Sequence, residues 1–134
     1  MRLRSIKPFR RPWLWLSLWS AAIAVVVVTS LLPPQDIPRT APGVDKIQHL
    51  VAYALLAAGA VQLYARRLSL FSACIGLALM GIALEYAQGR MGLGRSMDPH
   101  DALANGIGVL IGLATQFTPL RDVLLRLDRR GQGG

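Results

Sequence analysis

Residues 13–32 read WLWLSLWSAAIAVVVVTSLL, a run of twenty residues without a charge. Wound as a helix, such a run is about 30 Å long, the thickness of a bilayer's hydrocarbon core. Trp13, Trp15 and Trp19 cluster at its start, where an interfacial aromatic belt would sit. A cleaved signal peptide is the rival reading. The run is long for one, and residues 30–34, SLLPP, lack a small-x-small cleavage site. The reading is therefore a retained membrane helix, stopped by Pro33 and Pro34.

Three further apolar runs follow. Residues 47–64 are interrupted only by Gln48, His49 and Gln62. Residues 68–87 carry Glu85 near their end. Residues 102–117 carry Asn105, Thr115 and Gln116. Between them lie a proline-rich segment over 33–44, a tight basic turn at Arg66 and Arg67, and a glycine-rich loop over 89–96. No strand pattern or internal repeat is evident. The predicted fold is all-α, a bundle of four transmembrane helices over residues 13–118. A basic cytoplasmic segment (1–12) precedes it and a basic, flexible cytoplasmic tail (119–134) follows.

The composition agrees. The 134 residues are 53% hydrophobic and 16% charged, against about 25% charged in a soluble domain. The net charge of +8 raises the question of nucleic acid, but a nucleic-acid binder gathers its basic residues on one folded face. Here they flank the apolar runs. Counted by segment, eleven Lys and Arg lie in the N-terminus, the 66–67 turn and the tail. Four lie in the other two loops: Arg39, Lys46, Arg90 and Arg95. The positive-inside rule then predicts both termini in the cytoplasm and loops 33–46 and 88–100 outside. Cys74 is a lone cysteine in an apolar run and reads as a small core residue.

The acids divide the other way. Asp36, Asp45, Glu85, Asp98 and Asp101 lie in or beside the outer loops, and only Asp122 and Asp128 lie inside. Asp45 with His49, Glu85 with Gln88, and Asp101 with Asn105 stand at i, i+3 or i, i+4, so each pair shares a helix face. If those faces meet, they enclose acid, imidazole and amide groups open to the outside. Part of this set has a structural reading. Asp45 with Gln48 resembles a capping box, and Asp98-Pro99-His100-Asp101 resembles an N-cap followed by proline at N1 and an acid at N3. Asn105 could bond across to a neighbouring helix. Glu85 resists such a reading: near the C-terminus of its helix the dipole disfavours an anion, and the apolar span exacts at least about 2.5 kcal/mol for an unpaired charge. It calls for a partner such as Arg95, Lys46 or His49.

One pattern misleads. Residues 89–96, GRMGLGRS, imitate a phosphate-binding loop with arginine for lysine, but follow a membrane helix instead of a buried strand. No metal site or cofactor is predicted, since His49 and His100 are the only histidines and no HExxH motif or cysteine pair accompanies them. Ala104, Gly108 and Gly112 recur every four residues and mark a close-packing face on the fourth helix.

Three blocks together resemble the VanZ-like family of bacterial membrane proteins: Asp45-Lys46-x-x-His49, Glu85-x-x-Gln88, and Arg95 followed by Asp101-x-x-x-Asn105-x-x-Gly108. Their order and spacing agree from about residue 44 to residue 115. The resemblance implies a multi-pass protein of the bacterial cytoplasmic membrane. The family is named for a protein linked to low-level resistance to teicoplanin, and the resemblance supplies no reaction.

The expected ligand-binding set is Asp45, Lys46, His49, Glu85, Gln88, Arg95, Asp101 and Asn105, with Arg90 as the alternative to Arg95. The expected partners are membrane lipids and a lipid headgroup or cell-wall precursor, anionic or amphiphilic, and no nucleic acid. An acid/base hydrolase or transferase using Glu85, His49 and Asp101 is the alternative. A proton-coupled transporter is less favoured, because the inner halves of helices two to four are almost wholly apolar.

Overall fold

The computed structural model describes residues 5–31, 44–90 and 99–130, with Val44 and Asp45 described in their backbone alone. Four long helices dominate: α1 (Pro12–Leu31), α2 (Val44–Leu63), α3 (Arg67–Arg90) and α4 (Pro99–Ala114). Two 3-10 turns, Thr115–Phe117 and Pro119–Asp122, lead into a short α5 (Val123–Arg130). No strand occurs among the described residues; Ile6 and Tyr64 form one isolated bridge.

The helices run up and down, so their ends collect in two zones. One zone joins the N-terminal segment, the α2–α3 turn and α5. Here the Lys7 N–H donates to the Leu63 carbonyl at 2.8 Å and the Ala65 N–H to the Ser5 carbonyl at 2.8 Å. The first of these satisfies a carbonyl that the end of α2 leaves open. The other zone joins the end of α1, the start of α2, the end of α3 and the start of α4. There the Gln88 Nε2 donates to the Ser30 carbonyl at 2.5 Å, and Lys46 meets Asp101.

Unlike a soluble bundle, this one is apolar on its outside as well as in its core. The core is built on α2, with Tyr53, Leu56, Ala57, Ala60 and Val61, against Leu70, Cys74 and Leu77 of α3 and Val109 of α4. The buried stripe of α3 continues through Gly81, Glu85 and Gln88, and that of α4 begins with Asp101 and Asn105. Large apolar side chains instead cover the outside: Val25, Leu55, Ile75, Leu79, Leu103 and Leu110 are each about 60% exposed. An exposed apolar surface of this extent needs lipid, not water, around it. α1 and α3 are long and apolar enough to cross a membrane. A third span results if Pro99–Phe117 and Pro119–Arg130, bent by 84°, count as one. The described residues thus form an all-helical protein of membrane type.

Glycines and tryptophans set the helix contacts. A methyl on Gly112 would come within 2.7 Å of the Ala57 Cβ, and one on Gly59 within 2.7 Å of the Trp19 ring. Trp19 donates its indole N–H to the Leu56 carbonyl at 2.9 Å and meets the Tyr64 ring edge-on at 5.8 Å. Trp15 donates to Asp128 Oδ1 at 2.9 Å. Of the three tryptophans expected as an interfacial belt, two are therefore tied to protein, and Trp13 is exposed.

Residues 119–130 differ from the flexible tail expected of them. They are helical, and two acids hold them to the basic N-terminus. Lys7 Nζ pairs with Asp122 at 2.8 Å and donates to the Arg121 carbonyl at 2.6 Å. Asp128 is buried and accepts the Arg10 backbone N–H as well as the Trp15 indole. The partners lie more than a hundred residues apart in sequence, which is why no local pattern announced them.

Candidate functional site

At the second zone three helices contribute one potential ligand atom each. His49 comes from the first turns of α2, Glu85 from the last third of α3 and Asp101 from the first turn of α4. Their imidazole nitrogen and carboxylate oxygens all lie within 4.8 Å of one another. Glu85 is 2% exposed and Asp101 9%, while His49 is half-buried. The stripes that carry them are helical in register: Gly81, Glu85 and Gln88 on α3, and Asp101, Asn105 and Gly108 on α4. The helix of Glu85 continues to Arg90, so the carboxylate stands more than a turn inside the helix end.

The surroundings are polar above and close-packed below. Lys46 Nζ pairs with Asp101 Oδ1 at 3.2 Å. The N-terminal dipole of α4 also favours a carboxylate at Asp101. Below the triad lies Gly81, one turn from Glu85. A methyl there would stand 3.0 Å from Asn105 Nδ2 and 3.2 Å from the Tyr53 ring. Gly81 thus lets Tyr53 of α2 and Asn105 of α4 close the floor of the site. Two buried polar atoms here have no hydrogen-bond partner among the described residues: His49 Nδ1 and Asn105 Oδ1.

The expected site residues divide as follows. Lys46, His49, Glu85 and Asp101 converge, and Asn105 lies one turn beneath. Gln88 is buried nearby, but its amide is spent on the Ser30 carbonyl at the end of α1. Arg90 lies 5.8 Å over the ring of Tyr86, on the exposed side of α3. The Asp45 side chain, Asp98, Arg95 and the rest of residues 32–43 and 91–98 lie outside the described residues.

Tyr53 and Gly81 escaped the sequence reading. Their signal was present: Tyr53 follows His49 by four residues and Gly81 precedes Glu85 by four, one helical turn each. An aromatic or a glycine in an apolar run carries no other mark.

Comparison with protein families, with curated proteins and with solved structures finds no match to this chain.

Proposed function

We propose that this chain is a VanZ-like, multi-pass protein of the bacterial cytoplasmic membrane that binds an anionic amphiphile, a lipid headgroup or lipid-linked cell-wall precursor, at an outward-facing polar site. The observation that carries the reading is the meeting of His49, Glu85 and Asp101 at one end of the bundle, with Lys46 on Asp101. A buried ionisable cluster at the end of membrane helices is costly and is kept where it serves a ligand. The three blocks that resemble the family are the same blocks that carry these residues.

An apolar groove favours an amphiphile over a water-soluble anion. It holds about 270 Å³ between α2 and α4, with Lys46 and His100 at its start and Leu50, Leu103 and Ile107 along its walls. A charged head at Lys46 would leave an acyl or prenyl chain in that groove, facing lipid. Four spans with both termini inside suit this arrangement. The 20 residues of α2 would cover about 30 Å, and the exposed Ile47, Val51 and Leu55 would face the bilayer.

Native mass spectrometry of the full chain from mild detergent tests the reading. An anionic amphiphile should co-purify, and Lys46→Glu and Leu103→Arg should each remove it. Equal retention by both variants, or no bound amphiphile in the wild type, would overturn the proposal. The proximity of His49 and Glu85 favours the acid/base enzyme as second reading. In that case Glu85→Gln should hold an amphiphile of different mass from the wild type's.

A further inference from the structure

We propose that His49, Glu85 and Asp101 are the three protein ligands of a divalent cation of the zinc class, and that the anionic head of the ligand docks on this cation. The inference rests on the reading above, that this end of the bundle receives an anionic amphiphile.

The donor set is one imidazole nitrogen and two carboxylate oxygens, each from a different helix, mutually within 4.8 Å. Zinc holds such donors at about 2.0–2.2 Å, so four-coordinate ligand atoms stand about 3.4 Å apart. Closing the triad onto an ion therefore takes a contraction of at most about 1.4 Å, within the reach of side-chain torsions on fixed helices. No thiolate is present in the triad, and nitrogen with oxygen ligands suits zinc, manganese or iron(II).

Two orphaned atoms point the same way. His49 Nδ1 is buried and has no hydrogen-bond partner among the described residues. A buried imidazole nitrogen left so is unfavourable, and a bond to the metal or to a metal-bound water would satisfy it. Asn105 is 3% exposed, and its Oδ1 is likewise without a donor. One turn along α4 from Asp101, it is placed to accept a hydrogen bond from a metal-bound water.

Three protein ligands leave a coordination position open, the arrangement of sites that take a substrate oxygen or water. Lys46 touches Asp101 and also lines the apolar groove. A phosphate on the cation would thus sit at the head of the channel for its chain.

The test uses the full chain in detergent, stripped by a chelator and titrated with Zn²⁺ against a chromophoric competitor. One ion should bind per chain and raise the unfolding temperature, since a ligand of the folded state stabilises it. His49→Ala, Glu85→Gln and Asp101→Asn should each weaken binding by at least about 100-fold. Cys74→Ala should leave it unchanged, because that thiol sits in the apolar core and not at the triad. Co²⁺ in place of Zn²⁺ should give visible absorption bands in the wild type that vanish in Glu85→Gln. Absence of stoichiometric binding, or binding that survives both His49→Ala and Glu85→Gln, overturns the metal site. Glu85→Gln keeps side-chain shape, and its unfolding temperature without metal reports whether it folds. If it does not fold, His49→Ala decides by the same readings. The amphiphile is scored separately by mass: retained amphiphile with no metal binding sinks this inference alone, whereas loss of amphiphile binding sinks the reading it rests on.

Discussion

Gly108 lies so close to Leu50 that a methyl group on it would overlap the Leu50 backbone carbonyl oxygen. At that point α4 and α2 touch backbone to backbone, two turns along α4 from Asp101 and next to His49 on α2. The contact holds Asp101 and His49 at the same level. The site therefore depends on a residue that carries no chemistry.

Gly108→Leu should separate the two helices and cost at least about 3 kcal/mol, because the clash is with backbone and no rotamer relieves it. Gly106, with nothing within 4 Å of a Cβ, should accept alanine freely. Membrane abundance of the two variants checks this. Equal abundance would mean that the close contact does not hold the bundle together.

On the proposed reading, Glu85→Ala and Arg95→Ala should abolish whatever envelope phenotype the protein confers while leaving it inserted and abundant. Loss of a charge eases insertion. The check is phenotype read beside the amount of protein in the membrane. If the Glu85 variant disappears as completely as Gly108→Leu, the cluster is a structural network.

Both termini and the Arg66–Arg67 turn should lie in the cytoplasm. Single cysteines at Arg39 and at Arg67, in a Cys74→Ala background, answer the question with an impermeant thiol reagent on intact cells. Labelling is expected at 39 alone. Labelling at 67 and not at 39 would invert the topology.

The docking of α5 should weaken in acid. A hydrogen bond from Lys7 is the main cause that holds the Asp122 carboxyl below its ordinary value, with the Lys7 and Arg121 charges adding to it. Burial alone would raise Asp128. The Trp15 indole, the Arg10 and Arg11 backbone N–H groups and the Arg10 charge outweigh it, so Asp128 is lowered too. Carboxyls lowered in the folded state stabilise it fully above the unfolded value of about 3.9 and lose that contribution as pH falls through the folded values. Near-ultraviolet circular dichroism should therefore lose its Trp15 signal below about pH 4. Asp128→Asn should have a weakened signal already at neutral pH. A spectrum that stays unchanged however far the pH is lowered below 4 would contradict the clamp.

Membrane character was legible in the chain itself, and for a physical reason. Lipid cannot satisfy backbone hydrogen bonds, so each span must be a helix that closes its own, and it must be apolar over its length. Both demands are local, and residues 13–32 and 68–87 meet them within a single window. The pairing of Asp101 with Asn105, or of Glu85 with Gln88, was equally local, since helical spacing alone puts each pair on one face.

Which faces meet was decided only by the tertiary structure. Gly108 and Gly112 admit α2 at backbone distance, and Gly81 admits Tyr53 and Asn105 together. That packing brings His49, Glu85 and Asp101 within 4.8 Å, turns Gln88 toward the end of α1, and leaves Arg90 over Tyr86. The same holds at the other end, where Asp122 and Asp128 find partners in the first fifteen residues. Ligand atoms on three helices obey no sequence spacing: their distance is a property of how the helices pack, and a few missing methyl groups set it.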